Sequence, residues 1–488
     1  MAELYIDGEW VPAAAGGRRD VVNPFDASVV RSVDEADAAD VDRAVRAAAR
    51  AFREEDWARA PVRRRADVLF RVSELLRRDV EEIARTETLD TGKTLTEARI
   101  DVEDVAAAFR YFAETAGKDG GRVVDVGPGV LSRVVYEPIG VCALIAPWNY
   151  PLLQASWKVA PALAAGNTFI LKPSETTPLS TLALIRLIEE AGAPRGVANL
   201  VLGSGATVGA ALTAHPDVDL ISFTGGLATG RRIMASAAEG VKNIALELGG
   251  KNPNLVFADA DFDAALGFAL DASFLHSGQV CSAGSRLLVQ DTLHDRFVEA
   301  LAERAAAIRL GDGLDPATES GPLSSAEHRD KVEAYFAIAR EDGARLVTGG
   351  GRPDDPALAR GFFLRPTVYA DCERSMRIVQ EEVFGPVVTV ERFHDEDEAV
   401  ALANDTRYGL AGGVWTSEAS RAQRVANRLR HGTVWINDFH PYLPQAEWGG
   451  FGRSGVGREL GPTGLREYQE AKHIYQNLHP APSGWFKG

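Results

Sequence analysis

The chain has 488 residues, 45% of them hydrophobic and 25% charged, with a formal net charge of −16 at pH 7. That length predicts about three domain-sized units, and the acidity argues against a nucleic-acid partner, which needs a basic face to release counterions. No apolar run is long enough for a membrane helix, residues 1–10 lack a signal-peptide pattern, and the three cysteines have neither disulfide-framework nor metal-ligand spacing, all of which fits a reducing, cytoplasmic compartment and no metal chemistry.

In chain order, apolar residues recur at helical spacing over 37–112, among abundant Ala, Arg, Leu and Glu, and predict a helical segment. Residues 117–138 change character, with paired glycines and paired valines, and read as an arm of short strands. Strand-like and helical runs then alternate over 141–146, 157–165, 168–172, 179–191, 198–202 and 220–223. Such a rhythm predicts an α/β fold with a parallel sheet covered by helices, whose ligands bind beyond the carboxyl ends of the strands. The turn over 223–233 places Gly225 and Gly226 where backbone N–H groups can approach a pyrophosphate at a helix N-terminus. It matches neither GxGxxG nor a P-loop, and a plain tight turn has the same composition. A second alternation, from 254–257 through 286–289 to 433–437 with a helix over 293–308, predicts a second α/β domain. The tail, 465–468 and 472–476, reads strand-like and suits pairing with the arm; exposed edges of this kind often find a partner subunit.

Cys281 lies in Gly278-Gln279-Val280-Cys281-Ser282-Ala283-Gly284, without the periodicity of a core element, so a substrate can approach its thiol. Glu247, in Glu247-Leu248-Gly249-Gly250-Lys251, is a carboxylate between apolar residues and a double glycine, suited to a partly buried base of raised pKa. Together they describe covalent catalysis through sulfur, with water activated afterwards. A lone cysteine is more often an inert core residue, and Cys142 and Cys372 read that way. A Cys281–His276 hydrolase or acyltransferase is a rival chemistry, although no acid orienting His276 is identifiable. A binding protein that has lost catalysis should lack Cys281 or Glu247, and both are present.

These residues, with Pro147-Trp148-Asn149-Tyr150-Pro151, Lys172-Pro173-Ser174-Glu175, Phe223-Thr224-Gly225, Glu381-Glu382-Val383-Phe384-Gly385-Pro386 and Gly449-Gly450-Phe451-Gly452-Arg453-Ser454-Gly455, closely resemble the NAD(P)-dependent aldehyde dehydrogenase superfamily over most of the chain. The resemblance implies a doubly wound Rossmann-type cofactor domain (1–120 with 143–250), a second α/β catalytic domain (251–448) and a small β oligomerisation arm (121–142 with 465–488) that builds homodimers or homotetramers. It implies Cys281 as nucleophile, Asn149 as an oxyanion donor worth about 3 kcal/mol, and Glu247 as the base that activates water. Lys172 and Glu175 would bind the adenine ribose, favouring NAD while leaving NADP open. Gly225 and Gly226 would approach the pyrophosphate, Glu382 would accept from the nicotinamide ribose, and Phe384 would pack near the ring. Gly226 stands where the family commonly has Ser, which removes a hydroxyl contact. On their local pattern alone, Glu382 reads as a solvated charge and Phe384 as core.

Around 437–450, and at Tyr150 and Trp157, the resemblance sharpens toward the betaine aldehyde branch of that superfamily. A trimethylammonium group cannot donate a hydrogen bond and is held by aromatic faces, at up to about 2 kcal/mol per desolvated contact. Tyr150, Trp157, Trp448 and Tyr442 are the expected walls, although each singly also suits ordinary packing. Leu275 stands where many members carry another aromatic, which keeps ω-aminoaldehydes and neutral aldehydes open as substrates.

Overall fold

The computed structural model describes residues 3–485 apart from 55 and 119. The predicted helical segment is four helices, Ala38–Glu54, Val62–Arg78, Val80–Thr91 and Leu95–Thr115. Gly92 ends the third in the left-handed conformation, and Thr94 with Glu97 starts the fourth as a reciprocal capping box.

Two large sheets arise from the two alternating stretches. The first runs in the order Gly455–Val456, Asn243–Glu247, Leu220–Thr224, Val141–Ile145, Thr168–Lys172, Ala198–Leu200, Leu4–Ile6, Glu9–Val11. Its five central strands are parallel and its flanking strands antiparallel. Every residue of Val141–Ile145 and of Thr168–Lys172 is buried, because helices cover both faces of a parallel sheet. The second sheet runs Arg345–Thr348, Thr367–Ala370, Val387–Phe393, Arg286–Gln290, Pro253–Val256, Ala411–Trp415, Thr433–Ile436, parallel except for its first pair.

The arm strands Arg122–Val124 and Val130–Pro138 form a third, antiparallel sheet with Gln469–Asn477, so the tail does pair with the arm. Residues 465–468 are not a strand: the helix Gly461–Arg466 occupies their start, and the tail strand begins only at Gln469. Residues 449–464 return to the first sheet, where Gly455 pairs with Glu247 and the short helix packs on Pro151–Ala165. We propose the division 1–120 with 143–250, 251–448, and 121–142 with 465–488, on the grounds of these three sheets; residues 1, 2, 55, 119 and 486–488 of it lie outside the described residues.

Candidate active site

Four adjacent parallel strands end at Ile145, Lys172, Thr224 and Glu247, so their carboxyl ends and the loops beyond them share one rim. Asn149 lies beyond the first, Glu175 beyond the second, Gly225 and Gly226 beyond the third, and Glu247 closes the fourth. The second sheet meets that rim with its opposite ends: Cys281 precedes Arg286–Gln290, and Glu382 and Phe384 precede Val387–Phe393. Residues 248–252 cross directly from one sheet to the other. At the crossing the Asn252 amide donates to the carbonyls of Cys281 (2.8 Å) and Ala283 (2.9 Å) and accepts from Ala411 N (3.0 Å).

The segment before the nucleophile is strained and firmly held. His276, Ser277 and Gly278 have φ of 47°, 53° and 69°, a left-handed run that persists only where its surroundings over-determine it. Here the His276 N–H donates to Glu97 Oε1 (2.7 Å), Ser277 Oγ to Gly321 O (2.5 Å), and Ser324 N to Gln279 Oε1 (2.9 Å). Asn149 Nδ2 donates to Gln279 O at 2.8 Å, which uses one of its two N–H groups and leaves the other for a ligand. His276 does not serve Cys281: among the described residues no hydrogen bond joins the two, and the ring meets Tyr150 edge-on at 5.3 Å. The Cys–His chemistry therefore has no geometric basis. Burial, then the charges of Glu247 and Glu382, push the Cys281 thiol up to about 12, against the pull of the backbone N–H groups of Ser282 and Cys281. Cys142 is fully buried in its strand, and burial pushes the Cys372 thiol up to about 12 as well.

Glu247 is buried, and burial, with repulsion from Glu459 second, holds its carboxyl well above the usual range. A Cβ on Gly449 would come within 2.8 Å of Glu247 Oε1, and Gly449 has φ +151°, so glycine is required there on both counts. Behind Glu247 lies a buried pair absent from the sequence reading: the Lys158 ammonium bonds Glu459 and donates to Thr224 Oγ1 at 2.7 Å. Glu382 is no solvated charge. Its Oε1 accepts from Gly250 N at 3.0 Å, burial pushes its carboxyl up to about 7, and a Cβ on Gly249 would overlap it.

Three adjoining cavities connect these groups. The first, about 740 Å³, is lined by Lys172, Glu175, Phe223 and Gly225 among others. It shares Pro147, Trp148, Thr224 and Gly225 with a second of about 290 Å³ that holds Asn149, Gly226, Glu247, Cys281, Glu382 and Phe384. The second shares Tyr150, Gln154 and Cys281 with a third of about 470 Å³. In the first, Lys172 Nζ lies 3.3 Å from Glu175 Oε2, and Gly205 N donates to Glu175 Oε1 at 3.1 Å. Burial would raise the Glu175 carboxyl, but Lys172 and the backbone donors outweigh it and hold it below the ordinary value, hence ionised. Gly226 caps the helix Leu227–Glu239 and has open space at its missing Cβ, so nothing in this chain would block a serine there.

All four expected aromatic walls line the third cavity. Trp157, Tyr442 and Trp448 pack mutually edge-on, with centroids 5.1, 5.8 and 6.3 Å apart. Tyr150 stands apart with the buried Lys93 ammonium 4.0 Å from its ring centroid, so one of its faces is already taken by a cation. Leu275, 38% exposed, also lines the cavity. The sequence reading missed the acids opposite the rings. Glu97, Asp101 and Asp104 recur at i, i+4 and i+7 on the helix Leu95–Thr115, hence on one face, and all three line this cavity. Asp104 Oδ2 accepts from the Tyr442 hydroxyl at 2.5 Å, and Asp101 pairs with Lys93. Burial pushes the Asp101 carboxyl up to about 7, with Lys93 pulling it back. The i, i+4, i+7 spacing of the acids was the available signal, but on an isolated helix it reads as a solvated stripe.

The profile of the aldehyde dehydrogenase family matches residues 10–474, and the chain belongs to that family. Betaine aldehyde dehydrogenase of Bacillus subtilis (strain 168) is 57% identical over 484 residues, covering 99% of each chain. Aminoaldehyde dehydrogenase 2 of Zea mays is 44% identical over 492 residues, covering 99% of this chain and 97% of that one. A crystal structure of betaine aldehyde dehydrogenase from Staphylococcus aureus in complex with NAD+ shares the fold with a TM-score of 0.99 at 52% identity, covering 100% of this chain and 97% of that one.

The acid stripe makes a pH prediction. Asp101 is neutral below about 7 and adds a negative charge to the cavity above it. The ratio of kcat/KM for a cationic aldehyde to that for a neutral one should therefore rise as pH passes upward through 7. A change of about threefold is expected, one partly screened charge being worth ~1 kcal/mol or less. Taking the ratio cancels titrations common to both substrates. In Asp101→Asn the rise should be smaller; an Asp101→Asn profile that rises as steeply as the wild type would remove Asp101 as the cause.

Proposed function

We propose that this protein oxidises an aldehyde to its carboxylic acid with NAD as hydride acceptor, and that betaine aldehyde, giving glycine betaine, is its preferred substrate. The observation that carries the reading is the position of Cys281, on the wall common to the cavity holding Asn149, Glu247 and Glu382 and to the cavity lined by aromatics and acids. The residues fit a dinucleotide: an ionised carboxylate and an ammonium at one end, Gly225 and Gly226 at a helix start between, and Glu382 at the other end. Glu175 favours NAD, because its charge repels the extra phosphate of NADP.

In the proposed reaction the Cys281 thiol loses its proton to water in the cavity, and the thiolate adds to the aldehyde carbonyl. The free N–H of Asn149 Nδ2 and the Cys281 backbone N–H hold the resulting oxyanion. NAD, when bound, supplies the acceptor for the hydride released as that oxyanion collapses to a thioester on Cys281. Glu247, whose affinity for a proton is raised by its burial, takes a proton from water as the water adds to the thioester carbonyl. The Cys281 thiolate then leaves, and the acid is released. Lys158 and Glu459 stand behind Glu247, the Glu459 charge raising its affinity for a proton and the Lys158 ammonium lowering it.

Betaine aldehyde is favoured by an aromatic cluster facing an acid stripe, since a permanent cation gains from ring faces and carboxylates without needing a hydrogen bond. The acid stripe also suits an ω-aminoaldehyde, whose ammonium could donate to Asp101 or Asp104, and this is the second reading. We also infer that the arm sheet mediates assembly into a homodimer or homotetramer, because Val123 is 73% exposed on its edge strand and Tyr475 60% exposed on the tail strand. Light scattering that returns a monomer would remove that inference.

The test is initial-rate NADH formation with betaine aldehyde, ω-aminoaldehydes and short neutral aldehydes in parallel, each with NAD and NADP. Cys281→Ala serves as the blank. The highest kcat/KM should belong to betaine aldehyde with NAD. Equal rates for all aldehydes would sink the substrate assignment, and a Cys281→Ala variant as active as the wild type would sink the mechanism.

A further inference from the structure

We propose that His328 is a positioning residue that holds Phe384 in a strained conformation and so fixes the cofactor-side wall of the middle cavity. It belongs to neither sequence motif nor assigned role, yet it lines that cavity together with Trp148, Glu382 and Phe384.

Phe384 has φ +62°, a left-handed conformation that a residue with a Cβ and a bulky ring leaves unless it is held. His328 Nε2 lies 2.6 Å from the Phe384 carbonyl oxygen. A carbonyl only accepts, so Nε2 must carry the hydrogen, and the ring is the Nε2–H tautomer. Burial pushes the imidazole down to about 4, so it stays neutral across the working range, and the Nε2–H donor is present in either protonation state.

Its ring also packs on the Trp148 indole, centroids 4.6 Å apart, and Trp148 meets the Phe384 ring edge-on at 5.3 Å. Trp148 directly precedes Asn149. One side chain thus ties the turn that carries the oxyanion donor to the loop that carries Glu382. The helix Ala326–Asp342 presents it rigidly, with Ser325 Oγ accepting from the His328 N–H at 3.1 Å. The same helix closes on the loop again one turn later, where a Cβ on Gly385 would lie 2.6 Å from Val332 Cγ1. The packing below is equally close, since a Cβ on Gly278 would overlap the Gly385 carbonyl. If Phe384 relaxed, its ring would move from Trp148 and the adjacent Glu382 would shift with it.

The inference rests on the NAD reading of the site. Its test compares His328→Phe, which keeps a ring without the donor, with His328→Gln, which keeps a donor. Readouts are the Phe384 backbone in cofactor-free crystals, the NAD dissociation constant by calorimetry, and KM for each substrate. In His328→Phe we expect Phe384 to leave positive φ and NAD to bind roughly tenfold more weakly, as for one lost hydrogen bond. KM for the aldehyde at saturating NAD should stay within about twofold, a split that general destabilisation would not produce. His328→Gln should recover most of the affinity.

Phe384→Gly supplies a second arm, because glycine tolerates positive φ: adding His328→Phe to it should weaken NAD binding little further. Phe384 still at positive φ with unchanged NAD affinity in His328→Phe, or an equally large further loss on the glycine background, would overturn the proposal. A wild-type protein that binds no NAD would instead overturn the reading beneath it, while the Phe384 backbone in the crystals still decides the positioning role.

Discussion

The site depends on one constraint: the carboxyl-end rim of the first sheet faces the amino-end rim of the second across a five-residue crossing, 248–252. Glu247 ends one strand and Pro253 begins the next. Within that crossing Asn252 bonds the carbonyls of Cys281 and Ala283 and the amide of Ala411, so the Cys281 segment is fastened to the few residues that directly follow Glu247. A geometry that depended on two independently mobile domains would be set by their linker. Here it is set by a short stretch of backbone and three hydrogen bonds, with the left-handed run of His276, Ser277 and Gly278 clamped from the other side.

Burial governs the chemistry of the groups held there. Glu247, Glu382 and Asp101 are all pushed upward by loss of water, and the Cys281 thiol is pushed up to about 12. In a poorly solvated site each charge is felt strongly by its neighbours, and a carboxyl whose affinity for a proton is raised is a stronger base once ionised than a fully solvated one. By contrast Glu175, at the far end of the cofactor cavities, is kept ionised by Lys172 and backbone donors. The same residue type is therefore pushed toward its neutral form or held as a fixed charge according to its solvation and partners.

Much of this was legible in the sequence, and the rest was hidden for physical reasons. Lys172 and Gly225 sit at or just beyond the ends of strands with clear apolar runs, so the carboxyl-end rule locates them, whereas Asn149 came from the family resemblance and the strand Asn243–Glu247 was not read from the sequence. Glu382 and Phe384 were unreadable from their own surroundings, because burial of a polar loop depends on what the second sheet and the Ala326–Asp342 helix bring to it. The acids at 97, 101 and 104 were passed over because a charged stripe on a helix is ordinarily solvated; only the aromatic residues from 442 and 448, far along the chain, turn it into a cavity wall. Residues 465–468 were misread as strand because a short helix of six residues has too few turns to show its period. The Gly455–Val456 strand, a two-residue addition to a distant sheet edge, leaves almost no local signal.

The proposed mechanism separates the roles of Cys281 and Glu247, and rapid-mixing kinetics of Glu247→Gln measures that separation. With saturating betaine aldehyde and NAD, the variant should release a single equivalent of NADH per active site in a burst and then stall, because the thioester forms but its hydrolysis lacks a base. Acid quenching should trap an acyl group on Cys281. A variant that shows no burst, or one that turns over at the wild-type rate, would contradict the assignment of Glu247 as the base for the hydrolytic half of the reaction.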